Sequence, residues 1–487
     1  MSANGLSTGS LLSLAFKKKL YQFHPQRPPI NLETFRTHRK NRREKISHLS
    51  VERGVRQLLA DKISGNLVGL WLLTPEHLRL GTWDILKQWA GPSPSDLSSR
   101  MALQLIHEAL LGVLHLRTTR CLTQKGFEVL NGLPFVASDQ SIHALLSAHT
   151  VQQAEGLQLA LGCLRRARGH FHGRLLAIDP HRLPSSSKRQ MPRYRDNGAI
   201  KPYKVSDAFF CIDAETHQPI CFLLGSSSMT VTQLTPRLLQ LAALILNPST
   251  SSKPLVLADN EHFSGELLQS VCTQTPFDLL LPMRKTQSLM ASMRSIPSEH
   301  YQRHWAGWAT THAPFHFRDS PEATYHQIIQ RTGENPSEFQ FNAFLATRYC
   351  DDVLDLSVHY PQRWHVEEFF NAYQNLGWKR AGTLNLNIRL GQMSMALIAQ
   401  AASDQLRKRL GDPFLSWEAS HFASAIFRGI DGDVRVSDNK IIVTLYNAPN
   451  ADLLRKYYDN LPQILEHENV DPRIPWLFNY KLDFRFR

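Results

Sequence analysis

The sequence predicts an α/β protein with helical flanks, and three observations carry that reading. Between residues 174 and 282, short apolar runs alternate with segments of helical spacing. Before them, from about Leu49 to Gly173, apolar residues recur three and four apart, as on the buried face of a helix. After them, between Met283 and Tyr349, runs such as Thr324–Gln330 and Phe339–Thr347 alternate with a period of two, the mark of strands.

Size and charge narrow the classes further. A chain of 487 residues with 42% hydrophobic and 20% charged residues is long enough for a large core and several structural units. The formal charge is +13, and residues 1–60 hold 12 lysines and arginines against 3 acidic residues, many of them in Arg36–Lys45. Such a balance suits a polyanionic partner, nucleic acid above all. The six cysteines are scattered with no Cys-x-x-Cys pair, which argues against a zinc site or a disulfide framework and for a reducing interior. Leu11–Phe16 is too short for a signal peptide, and no run of about 18 apolar residues exists, so no membrane span is expected.

Taken in order, the first helices fall at Val51–Ser64, Leu103–Leu116, Asp139–His149 and Val151–Arg168. A buried-looking run, Leu175–Ile178, then ends on Asp179, which places that carboxylate at or just past the end of a strand. Ala208–Ile212 and Ile220–Leu224 read as strands joined by a hairpin turn at Asp213–Gln218. A helix at Thr235–Leu246 stops at Asn247-Pro248. Leu255–Ala258 is the next strand and ends on Asp259; a helix at Gly265–Thr273 and a strand at Phe277–Leu281 follow. Towards the C-terminus come a helix at Leu390–Leu410, another at Trp417–Phe427, a hairpin of Val434–Val436 with Ile441–Leu445, and an aromatic, basic tail.

The most informative stretch is YPQRWHVEEFFNAYQNLGWK, Tyr360–Lys379. Pro361 suits a first helical turn, and Trp364, Val366, Phe369, Phe370 and Tyr373 form an apolar stripe. Arg363 and Glu367 lie four apart and share a face, while the adjacent Glu367 and Glu368 point in different directions.

This stretch resembles the signature helix of one branch of the bacterial insertion-sequence transposases with a DDE triad: Tyr, two residues, Arg, three residues, Glu, six residues, Lys. Tyr360, Arg363 and Glu367 match the first three positions, and Gln374 stands where the family has lysine. The order of strands and helices resembles the ribonuclease-H-like fold, with a mixed sheet. In that fold the first aspartate lies on the first strand, the second follows the fourth strand, and the glutamate lies on a later helix. Asp179, Asp259 and Glu367 occupy those places, 80 and 108 residues apart. The second gap resembles the β-rich insertion of the branch, in which Trp305 or Trp308 could support a flipped base.

The resemblance implies a ribonuclease-H-like core interrupted by a β-rich insertion, with a mainly helical N-terminal domain and a mainly helical C-terminal region. The divisions expected are a basic, partly flexible arm (1–48), a helical DNA-end-binding domain (49–173), the core's first part (174–282), the insertion (283–349), the core's second part with the signature helix (350–410), and a region for dimerisation or DNA contact (411–487). Asp179, Asp259 and Glu367 would be the catalytic metal ligands, holding two Mg²⁺ ions about 4 Å apart, with Mn²⁺ able to substitute. Tyr360 and Arg363 would contact the DNA end, together with Lys379 or Arg380 in place of the missing lysine. Lys188 and Arg189, in the Ser-rich loop after Asp179, are further candidates for DNA. The partners implied are double-stranded DNA, at element ends and target, and a second copy of the chain, with no membrane. The location implied is the cytoplasm of a bacterium, at the nucleoid.

Each carboxylate has a plainer reading. An aspartate after a strand commonly caps a helix or closes a turn, as Asp139 and Asp213 are expected to do. Arg363 could simply pair with Glu367 on the helix, and His262 and His365 suit site-lining or structural roles because Mg²⁺ favours oxygen. A non-catalytic DNA-binding protein derived from a transposase is the rival function. A substitution within the triad would favour it, and none is present.

Overall fold

A computed structural model describes residues 51–112, 125–185, 201–226, 229–249, 252–373 and 385–487, with positions 190, 193 and 376 between them. The chain divides into two compact units, 1–54 and 55–487. Of the first, residues 51–54 are described and form the opening of helix α1 (Val51–Leu59). Strand β1 (Ile63–Gly65) follows, so the expected helix to Ser64 is cut short. Helices α2 (Thr74–Arg79), α3 (Thr82–Ala90), α4 (Leu97–Leu110), α5 (Lys125–Leu130), α6 (Asp139–Ser147) and α7 (Val151–Ala167) complete the helical N-terminal part. α7 begins with a capping box in which Thr150 and Gln153 exchange side-chain and backbone hydrogen bonds.

A nine-stranded mixed sheet comes next. Its strands are β2 (Leu175–Pro184), β3 (Val205–Asp213), β4 (Gln218–Ser226), β5 (Leu255–Leu257), β6 (Asp278–Pro282), β7 (Gln302–Trp305), β8 (Trp308–Phe317), β9 (Ser320–Thr332) and β10 (Gln340–Ala346). Their order across the sheet is β4-β3-β2-β5-β6-β10-β9-β8-β7. β2, β3 and β4 are antiparallel neighbours, β5 is parallel to both β2 and β6, and β10 returns antiparallel to β6. The strands of 283–349 thus extend the core sheet itself.

Helices α8 (Val231–Leu246) and α9 (Gly265–Gln274) pack on one face. Leu238, Leu239, Ala242 and Ile245 of α8 share a core with Leu176, Ile178, Phe209 and Cys211. α8 starts at Val231 under a Thr230–Gln233 capping box, earlier than Thr235, and Pro236 lies within it. A short helix α10 (Gln287–Ser295) precedes β7. On the sheet's other face lies α11 (His365–Tyr373), reached through a π-helical turn (Asp352–His359) and a 3₁₀ turn (Tyr360–Trp364). The expected single helix from Pro361 is therefore broken into a tighter turn and an α-helix. Val366, Phe369, Phe370 and Tyr373 are buried as expected, but Trp364 is 52% exposed.

Helix α12 (Leu386–Leu410) is 25 residues long and buried nearly all round, packed against α4, α6 and α7. The short helix α13 (Ala419–Phe422) and a π-helical turn replace the single helix expected at Trp417–Phe427. Beyond them the chain forms β11 (Gly432–Ser437), β12 (Lys440–Leu445), α14 (Ala451–Tyr458), α15 (Leu461–His467), β13 (Arg473–Ile474) and β14 (Tyr480–Phe486). Asp438 and Asn439, both at positive φ, make the tight β11–β12 turn. A second sheet orders β1-β11-β12-β14-β13, so the C-terminal region is as much sheet as helix and takes a strand from near residue 63. The tail pairs as β14 along β12. Among the described residues, no helix is long and apolar enough to cross a membrane.

Candidate functional site

β2 and α11 build the site between them. Side chains alternate along a strand, so Asp179 and His181 share the face opposite Leu176 and Ile178. His181 stacks on Phe370 of α11 at 4.3 Å between ring centroids. Phe210, the register partner of Asp179 on β3, packs against Phe369 and Phe370. These aromatics clamp α11 over Asp179. The strand does not end at Asp179 as expected: it runs on to Pro184 because β3 continues to pair with it. What ends before Asp179 is the parallel pairing, since β5 reaches only from Leu175 to Ala177 of β2. Asp179 thus lies just beyond the point where β5 stops pairing with β2.

Asp259 follows β5 by one residue beyond Ala258. It caps the short 3₁₀ turn Asn260–His262, its Oδ1 accepting from the Glu261 N–H at 3.0 Å. His262, 1% exposed, places Nδ1 2.8 Å from the same Oδ1. The capping reading and the site reading of Asp259 are therefore both present in one residue.

Glu367 lies in the first turn of α11, and Arg363 Nη2 donates to its Oε1 at 3.0 Å. Tyr360 donates its hydroxyl to the Ala258 carbonyl at 3.3 Å, tying the start of the signature stretch to the residue before Asp259. Its ring stands edge-on to Phe344 of β10.

These groups influence one another electrostatically. Burial and the neighbouring Asp259 carboxylate push the Asp179 carboxyl up to about 8; Arg363 opposes the rise, and Glu367 and Glu261 add to it. Burial also works to raise Asp259, but the His262 contact, the Glu261 N–H and the Arg363 charge outweigh it and hold that carboxyl below its ordinary value. Burial pushes the Tyr360 phenol up to about 12. Arg363, despite burial, is held firmly protonated by Tyr360, Asp179 and Glu367.

Two further residues line the site. Arg182 of β2 donates to Glu261 through Nη1 at 2.7 Å and through Nη2, and its Nε is 3.8 Å from Asp207. Sequence reasoning missed both Arg182 and Glu261. The available signal was position: Arg182 is three residues after Asp179, and Glu261 is two after Asp259. Lys188, Arg189, Lys379, Arg380, Gln374 and the Arg36–Lys45 run lie outside the described residues.

Carboxylates within electrostatic reach of one another and of a basic side chain suit a hard divalent cation. Such ions take oxygen ligands, and a cation here would offset the repulsion that raises Asp179. The chemistry of the donor set is therefore that of a site for a hard divalent cation.

Residues 170–401 match the family model of the transposase DDE domain. The matched DDE domain begins just before β2 and ends within α12, so it contains all three carboxylates. No curated protein matches the sequence. Among solved structures, a cryo-EM structure of the piggyBac transposase synaptic complex with hairpin DNA is similar at 12% identity. That likeness covers 76% of this chain and 82% of the other, with a TM-score of 0.42.

Proposed function

We propose that this chain is the DNA transposase of a bacterial insertion sequence. It binds the element's terminal inverted repeats, cleaves at the ends and joins the 3′-OH ends to target DNA. The observation that carries the proposal is the mutual electrostatic influence of Asp179 within β2, Asp259 just beyond β5 and Glu367 on α11, with Arg363 paired to Glu367. The strand order β4-β3-β2-β5-β6, with antiparallel β2–β4 and parallel β5 and β6, supports a ribonuclease-H-like reading of the core. The Tyr360, Arg363, Glu367 spacing supports the signature branch.

In this reading Asp179, Asp259 and Glu367 hold two divalent cations. When bound, the ions supply activation of the attacking oxygen and neutralisation of the leaving one. The chain's own residues set the geometry. His262 and the Glu261 N–H fix the Asp259 carboxylate. Arg363 orients Glu367 and brings a positive charge to the phosphate of the DNA end. Tyr360 anchors the Ala258 backbone and so the position of Asp259. Attack by water, or later by a DNA 3′-OH, forms one P–O bond as the other breaks. Trp305, 46% exposed and stacked on Trp308 at 4.2 Å, offers a ring face to an extruded base. Lys188, Arg189, Lys379 and Arg380 are proposed as further DNA contacts, and a homodimer on paired ends, in the bacterial cytoplasm, as the working assembly.

The test is cleavage of DNA carrying the element's own ends, with Mg²⁺, by the full chain and by Asp179→Ala, Asp259→Ala and Glu367→Ala. Each substitution is expected to abolish cleavage while leaving end binding intact. Cleavage that survives all three would overturn the site assignment. Specific end binding with no metal-dependent cleavage by the unaltered chain would instead favour a DNA-binding role alone.

A further inference from the structure

Glu367 faces the site, and the next residue, Glu368, leaves α11 about 100° further round the helix. There it meets two imidazoles. One ligand atom each from His217, His365 and Glu368 lies within 4.8 Å of the others. We propose that these three residues form a second metal site, separate from the three carboxylates, for a divalent transition ion of the zinc class.

The arrangement has the features of a built site. His365 and Glu368 are three apart on α11, so both side chains project from one face of the helix. His365 Nδ1 lies 2.7 Å from the Ala214 carbonyl, which can only accept. Nδ1 therefore carries the proton, and Nε2 is left with its lone pair outward, as in metal-bound histidines steadied from behind by a carbonyl. His217 comes from the β3–β4 turn, the same turn that supplies Ala214. The Asp213 carboxylate pins that turn by accepting from the N–H groups of Gly173, Glu215 and Thr216 at 2.7, 3.1 and 2.9 Å. His217 itself is held at φ +58, in the left-handed region. That conformation brings its ring to 3.8 Å from the His365 ring, centroid to centroid. Lys408, whose charge reaches His217, is itself paired with Asp404 at 3.2 Å.

Two imidazoles and one carboxylate select against Mg²⁺, which wants oxygen alone, and suit Zn²⁺, Co²⁺ or Ni²⁺ with water completing the shell. A bound ion would cross-link the β3–β4 turn to the helix that carries Glu367. Its effect would be to stiffen the element presenting the third carboxylate, without touching the DNA phosphate.

The experiment uses the full chain with Asp179→Asn and Asp259→Asn, which silence the carboxylate site, after chelator treatment. Co²⁺ is titrated in and followed by its visible d–d absorption, then displaced with Zn²⁺. The expected result is one equivalent of Co²⁺ in a low-symmetry site, unaffected by a large excess of Mg²⁺. His217→Asn and His365→Gln should remove the absorption, and Glu368→Gln should weaken binding by at least about tenfold. Asn tolerates the left-handed backbone at 217, and Gln is a good helix former at the half-buried first position of α11, so both variants should fold. If His365→Gln fails to fold, the exposed His217 position decides alone. Absence of stoichiometric Co²⁺ binding, or binding that persists in His217→Asn, would overturn the proposal.

Discussion

Replacing Asp179 by asparagine should make the metal-free protein more stable, and the gain should depend on pH. The carboxyl is moved from 3.8 to about 8 by burial and by Asp259. Between those two values the folded protein holds a proton that the unfolded chain has released. The group's contribution is thus fully present below 3.8 and is lost as pH rises through about 8. The loss would be about 1.4 kcal/mol per pH unit for a fully secluded group. Asp179 is only half-buried by surface area, so water in the cleft reduces that figure. We expect Asp179→Asn to gain about 1–3 kcal/mol over the parent at pH 8, and nothing near pH 4. Urea unfolding followed by tryptophan fluorescence, at pH values from 4 to 9, measures the gap; the nine tryptophans give ample signal. Adding Mg²⁺ or Mn²⁺ should then stabilise the parent and leave the asparagine variant unmoved. A gap that stays constant across pH, or a variant less stable than the parent at pH 8, would refute the crowding of carboxylates around Asp179.

Other outcomes follow from the signature stretch. Arg363→Ala removes the charge that opposes the rise of Asp179 and helps hold Asp259 low, so end cleavage should fall at least about tenfold and its acid limb should move to higher pH. Pre-steady-state cleavage across pH reads both effects. Tyr360→Phe deletes one hydrogen bond to the Ala258 carbonyl and should cost about 0.5–1.5 kcal/mol in denaturant unfolding while the ring keeps its place against Phe344. Phe369→Ala should cost about 3–5 kcal/mol, because the ring is 2% exposed and packs on Phe210, Phe370 and Tyr373. Trp364→Ala, at an exposed position of the same stretch, should stay within about 0.5 kcal/mol in the same assay.

The order of elements was legible because it rests on apolar periodicity, which the core enforces locally. Leu175–Ile178, Ala208–Ile212 and Leu255–Leu257 are buried in the sheet where their composition put them. Where a strand ends was not legible, because the limit is set by its neighbours. β2 runs past Asp179 on the strength of β3, a partner about thirty residues away, and no local residue announces that. Trp364 looked like part of the buried stripe because a regular helix was assumed. A 3₁₀ turn over Tyr360–Trp364 changes the angular spacing and turns the indole outward. The pairing of β1 with β11, across more than 360 residues, had no local signature either.

The Arg363–Glu367 contact was legible in the sequence, and the reason is chemical. Residues four apart on a helical stretch lie on one face, and Arg363 and Glu367 meet at 3.0 Å. Even the break before α11 leaves that pair intact, because it falls between Trp364 and His365 and the two side chains still lie about one turn apart. Arg182 and Glu261 follow a different rule. Their contact depends on β2 continuing beyond Asp179 and on the 3₁₀ turn after Asp259, two features fixed by tertiary pairing. The same extension of β2 that defeated the boundary reading therefore carries Arg182 to Glu261. It places a second positive charge beside the acidic residues, on a residue outside the Tyr360–Lys379 stretch. That contact arises from the strand's length, which β3 sets, and not from the spacing along the signature stretch.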